Sequence, residues 1–139
     1  KILEENLLEQ FAPIFTPPWN RCTKVTFKVL DQLGFKILSK DNSSPATGYS
    51  FREVSITLDL YTWKNGARMK EPEVIISELV KQLSSLEPVG LLLHHKVMDA
   101  DAFTFLDALL SELKRYSVIG FHTLQSLVLE SKSAGGVLA

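Results

Sequence analysis

Residues 89–93 form an uninterrupted apolar run that ends in two histidines, His94 and His95. A strand without a polar face must be covered on both sides, which is the condition of a parallel strand inside an α/β fold. Side chains that do chemistry in such folds sit at the carboxyl ends of strands. A second segment of the same kind lies upstream, Phe15-Thr16-Pro17-Pro18-Trp19-Asn20-Arg21. There a proline pair stops the strand, because proline lacks the N–H for a ladder and restricts the residue before it.

The periodicity between these points alternates. Ile2, Leu3, Leu7, Leu8 and Phe11 recur at helical spacing until Pro13. A short strand is expected over 12–16, then a helix over about 22–33 with Val25, Val29, Leu30 and Leu33 inward and Gly34 ending it in a left-handed conformation. Residues 35–39 read as a strand and Asp41-Asn42-Ser43-Ser44-Pro45 as a loop. Over 54–63, Val54, Ile56, Leu58 and Leu60 alternate with Ser55, Thr57, Asp59 and Tyr61, which predicts one strand. Lys64-Asn65-Gly66-Ala67-Arg68 reads as a solvated turn. Pro72 opens a helix to about Leu86 with Ile75, Ile76, Leu79, Val80 and Leu83 inward. Asp99 or Asp101 caps the next helix, with Phe103, Leu106, Leu110 and Leu113 as its buried stripe. Residues 117–121 read as the last strand, Thr123 opens a final helix, and the tail from Ser133 looks frayed. Helices alternating with apolar strands imply an α/β class with a mainly parallel sheet and outer helices, in one domain spanning 1–139.

With 139 residues, 45% of them hydrophobic, the chain has enough apolar surface for a core. A net charge of −1 gives no electrostatic reason to expect nucleic acid or an anionic membrane as partner, and no apolar run approaches a bilayer span. The first residues, Lys1-Ile2-Leu3-Glu4-Glu5-Asn6, read as the middle of a helix rather than a secretory signal, so the chain is expected to begin inside a larger sequence. One cysteine, Cys22, excludes an internal disulfide framework and fits a reducing compartment such as the cytoplasm.

Taken in order, Pro17-Pro18-Trp19-Asn20-Arg21, Asp59-Leu60-Tyr61-Thr62-Trp63-Lys64 and Leu92-Leu93-His94 resemble the later motifs of the polysaccharide deacetylase (NodB-homology) family of carbohydrate esterases. The resemblance implies the C-terminal portion of a distorted (β/α) barrel and a hydrolase acting on N-acetyl carbon–nitrogen bonds of carbohydrates. In such enzymes a divalent metal, zinc or similar, polarises the acetyl carbonyl, an aspartate acts as base, and a histidine protonates the departing amine. His94 matches that histidine, and an imidazole, titrating near neutrality, suits the task. Leu92 would wall the acetyl pocket, while Trp19, Asp59 and Trp63 would line the substrate site. All four of Trp19, Asp59, Trp63 and His94 are expected in one cleft.

The chain departs from the family pattern at several points. Thr16 stands where an arginine usually precedes the proline pair, Thr62 where an aspartate often precedes the tryptophan, and His95 where an aspartate commonly follows the histidine. The family's metal-binding aspartate and histidine pair precede the proline motif and have no counterpart here. A catalytic zinc needs about three protein ligands around one point. His94 and His95 are adjacent and point apart in a strand, leaving His122, Asp99 or Asp101 to assist. No metal is therefore expected on the chain alone, and the isolated chain is expected to be inactive.

Blander readings stand beside these. His94, His95 and His122 can be ordinary strand-end residues, Trp19 and Trp63 core or rim residues, and Asp59 part of a solvated face. Cys22 at a helix start could carry a lowered thiol pKa. Two further functions remain open: a non-catalytic carbohydrate-binding module that keeps the fold, and an assembly unit whose exposed sheet edges are covered by a second copy.

Overall fold

The computed structural model describes residues 2–7, 10–43, 45–85 and 88–134; Leu8, Ser44, Leu86 and the tail from 135, all assigned above, lie outside them. Helices and short strands alternate along the chain, so the α/β class holds. The strands gather into one three-stranded and two two-stranded sheets, with no closed barrel among the described residues. Chain contacts divide the protein into two compact units, one of residues 1–54 with 122–139 and one of residues 55–121.

The first unit begins with helix α1 (Ile2–Leu7). Strand β1 (Ile14–Phe15) then runs parallel to β2 (Ile37–Lys40), with Ile14 opposite Ile37 and Phe15 opposite Leu38. Helix α2 (Lys24–Gln32) makes the crossover, and β3 (Arg52–Ser55) completes the order β1-β2-β3. Thr23 rather than Cys22 starts α2, because the Thr23 and Thr26 hydroxyls each take the other's backbone N–H. Gly34, at φ 74°, ends it as expected.

The buried face of α2 is Phe27 and Leu30, packed with Leu38 and Phe51. Val25, Val29 and Leu33, expected inside with Leu30, are exposed. Phe27 supplies the larger apolar surface about half a turn from that stripe, and its ring meets Tyr49 and Phe51. Beneath the 41–50 loop, Lys40 is 0% exposed. Its ammonium donates to Glu53 Oε1 at 3.1 Å and to the Asp41 carbonyl at 2.7 Å, and Glu53 Oε2 takes the Ala46 N–H at 2.8 Å. A buried charge survives because both members of the pair find partners. Helix α5 (Leu124–Ala134) closes the unit, with Thr123 Oγ1 accepting the Ser126 N–H as its cap and Val128 buried.

In the second unit, β4 (Leu58–Asp59) runs parallel to β7 (Leu91–Leu92). Between them come a hairpin of β5 (Tyr61–Thr62) and β6 (Arg68–Met69), then helix α3 (Pro72–Leu83). Helix α4 (Ala100–Leu113) follows β7, and Asp99 caps it by accepting the Ala102 N–H at 2.9 Å. The core joins Leu58, Leu60, Tyr61, Ile75, Leu79 and Leu106. Ile75 and Leu79 are the buried edge of α3, whereas Ile76 and Val80 are exposed. On α4, Ala102 and Leu106 are buried and Phe103 is exposed.

Three strand expectations change. The single strand over 54–63 is broken into β3, β4 and β5. Asp59 Oδ1 accepts the Tyr61 N–H at 2.8 Å, a local turn that takes this amide out of any ladder and bends the chain at Leu60. Residues 117–121 form no strand: the Ile119 N–H returns to the Tyr116 carbonyl at 3.0 Å, and Val118 is exposed. Residues 89–93 are not covered on both faces either. Only Leu91–Leu92 pair, in a two-stranded sheet, and Leu93 is exposed.

Gly90 anchors that pairing. Its carbonyl takes the N–H groups of both Thr57 (2.9 Å) and Leu58 (3.0 Å), and its own N–H donates to Thr57 Oγ1 at 3.1 Å. A Cβ here would drive into the Ser55 carbonyl, so only glycine permits this approach. Among the described residues no helix is long and apolar enough to cross a membrane.

Candidate functional site

Parallel strands release their following residues at the same end of the sheet. With Asp59 opposite Leu92 in register, the chain beyond β7 brings His94 back beside Asp59. His94 Nε2 lies 2.9 Å from Asp59 Oδ1, with both side chains part-exposed. A neutral imidazole that donates Nε2–H to a carboxylate keeps its lone pair on Nδ1. The pair therefore fixes ring orientation and tautomer and leaves Nδ1 as the nitrogen that can carry or release a proton.

Two aromatic rings complete the setting. Trp63 meets the His94 ring edge-on at a centroid distance of 4.8 Å, and Tyr61 does so at 5.7 Å. Tyr61 acts three ways. Its backbone N–H holds the Asp59 oxygen that faces His94, its ring contacts the imidazole, and its hydroxyl donates to the Val97 carbonyl at 3.3 Å. The last contact fixes the turn that His94 opens, in which the His94 carbonyl accepts from the Val97 and Met98 N–H groups. Burial, and secondarily the charge of Asp99, raise the Tyr61 phenol above its usual range, so it stays a donor. A cavity of about 290 Å³ opens here, lined by Trp63, Leu93, His94, His95, Lys96 and Val97.

Of the residues singled out from sequence, Asp59, Trp63 and His94 come together. Leu92 does not line the cavity; Leu93 does, because β7 ends at Leu92 and strand alternation stops before His94. His95, expected to point away, also lines it, since 95–97 turn instead of continuing extended. Asp99 is spent on capping α4. Tyr61 was not anticipated; the usable signal was an aspartate followed two residues later by an aromatic at a strand end.

Trp19 and His122 belong to the other unit. Trp19 sits in a 3-10 turn (Pro18–Asn20) directly after the proline pair. It and Asn20 both adopt φ 56°, a region that costs a non-glycine residue about 1–2 kcal/mol, and the indole is 85% exposed. Cys22 gains no reactivity from the neighbouring helix: burial raises its thiol, against a lowering by Lys40 and with a further rise from Glu53. Among the described residues no group of three or more His, Cys, Asp or Glu side chains is placed to hold a metal ion.

Compared with known proteins, the chain matches no family model, no curated protein and no solved structure.

Proposed function

We propose that this chain is the C-terminal, leaving-group half of a polysaccharide-deacetylase-like hydrolase that cleaves N-acetyl carbon–nitrogen bonds of carbohydrates, on part of a distorted (β/α) barrel. The observation that carries the reading is the 2.9 Å pairing of His94 with Asp59 at the mouth of a cavity walled by Trp63. As the tetrahedral adduct of water and acetyl group collapses, the C–N bond breaks and the nitrogen must gain a proton. Protonated His94 supplies it from Nδ1 while Asp59 holds the ring by Nε2–H. Trp63 offers a flat apolar face to a sugar ring. On this reading water activation falls to the family's earlier motifs, which have no counterpart among these residues.

Three measurements test the proposal. Chitotetraose, titrated into the chain, should shift the Trp63 indole and His94 ring signals in NMR spectra, and Trp63→Ala should abolish the response. The chain alone, with or without zinc or cobalt, should release no acetate. In a polypeptide that also carries the family's early motifs, His94→Ala should lower turnover by about 10²–10⁴-fold, the usual worth of general acid catalysis. Metal-dependent acetate release by the chain alone would overturn the half-site reading.

A second reading draws on the same exposed Trp63, a carbohydrate-binding module without chemistry. It predicts the chitotetraose response but no loss of turnover in His94→Ala.

A further inference from the structure

The proposed site is built by two segments without acidic residues, each bounded by acidic ones: Asp59 and Glu71 flank the first, and Asp99 follows the second. Overall, 16 acidic residues nearly balance 15 basic ones. Yet residues 60–70 and 88–98, which build the hairpin and the turn around His94, contain no aspartate or glutamate and carry Lys64, Arg68, Lys70 and Lys96. Lys70 is neutralised by Glu78 at 2.8 Å. Lys96 lines the cavity directly, beside His95, with no ion pair among the described residues. Lys64 and Arg68 are exposed on the hairpin that presents Trp63, Arg68 pairing in register with Thr62. Asp59 is already engaged by His94, and no carboxylate lines the cavity itself.

A cavity with an aromatic wall, a cationic rim and no carboxylate in its lining attracts a ligand that is itself negatively charged. We propose that the cavity beside His94 takes an N-acetylated carbohydrate bearing carboxylate groups, with Trp63 against a sugar face and Lys96, aided by His95, at a carboxylate. This deepens the preceding proposal and rests on it: the reading of a sugar site comes from there, and the charge of the sugar from the rim. Lys64 and Arg68 then add long-range attraction rather than forming a merely solvated turn.

The test compares two probes that share N-acetylglucosamine and differ in charge. Chitotetraose is neutral, and a hyaluronan tetrasaccharide alternates the same sugar with glucuronate. Both are titrated into the full chain with the Trp63 indole signal as readout. The carboxylated probe should bind about 3- to 10-fold more tightly at low salt, the effect of one or two partly exposed charge contacts. The preference should fall towards unity at about 0.5 M salt, where screening is strong. It should also fall in Lys96→Gln but persist in Lys24→Gln, which removes one lysine from α2 in the other unit. Equal or tighter binding of chitotetraose overturns this inference and leaves the sugar site standing. So does a preference that survives both high salt and Lys96→Gln. Failure of both probes to move the Trp63 signal overturns both proposals.

Discussion

One acid–base pair from each unit, Lys40–Glu53 and His94–Asp59, makes the comparison, and the two are built to opposite ends. Lys40 and Glu53 meet beneath a loop, and the lysine is sealed from water with backbone groups serving both partners. His94 and Asp59 meet at the open end of a parallel ladder, beside a cavity, with both side chains part-exposed. A sealed pair cannot exchange protons with a ligand, so it serves architecture. An open pair contributes little to stability and stays within reach of a ligand. The contrast shows that a pair's surroundings, more than its residue types, decide whether a ligand can reach it.

The largest effect should come from breaking the sealed pair. Glu53→Ala leaves a buried ammonium with one partner and should lower unfolding free energy by about 3–5 kcal/mol in urea denaturation. A loss below about 1 kcal/mol would erase the contrast, since the pair would then behave like a surface one. Next is Gly90→Ala, which sets a methyl against the Ser55 carbonyl and should cost about 2–3 kcal/mol through forced backbone movement. The His94 ring signals should shift with it, because the β4–β7 register places that ring. Tyr61→Phe removes only the hydroxyl bond to Val97 and should cost about 1 kcal/mol. If Tyr61 positions the open pair, the His94 ring ¹⁵N signals will also broaden or shift. Unchanged ring signals would reduce Tyr61 to a packing residue.

Two smaller effects concern the first unit. Trp19→Gly relieves a left-handed tryptophan and should raise stability by about 0.5–1 kcal/mol, measured by thermal unfolding. Acid should loosen the 41–50 loop without unfolding the unit. Hydrogen bonds from Ser50 and Ser43 hold the Asp31 and Asp41 carboxyls below their usual range. Groups with lowered folded pKa values contribute stability above their unfolded value and lose it as pH falls through the folded one. Faster amide exchange at Ser50 and Ser43 should therefore appear below about pH 4, the unfolded aspartate value.

The legible parts of this fold were those set by local chemistry. Gly34, Pro72 and Asp99 mark helix ends by backbone geometry and capping, which neighbours in sequence decide. The helix faces were less legible. Val25, Val29 and Leu33 are as apolar as Phe27, and periodicity cannot tell which stripe the sheet will cover. The break at Leu60 was hidden because alternation counts side chains and overlooks a carboxylate competing for a backbone N–H. At the site, Asp59, Trp63 and His94 were marked by their positions at strand ends. The Lys40–Glu53 pair was invisible, since burial of a charge depends on a loop folding over it.

The division of the chain also sets an order of events. The second unit is one uninterrupted stretch, residues 55–121, inserted between two segments of the first. During synthesis from the N-terminus, chain segments fold as their partners emerge. Everything that places His94 against Asp59 has been made once Phe121 leaves the ribosome, whereas the first unit still awaits α5 and its buried Val128. Folding of the inserted stretch also shortens the loop that the first unit must close. The open pair is thus assembled before the unit that begins the chain can be finished.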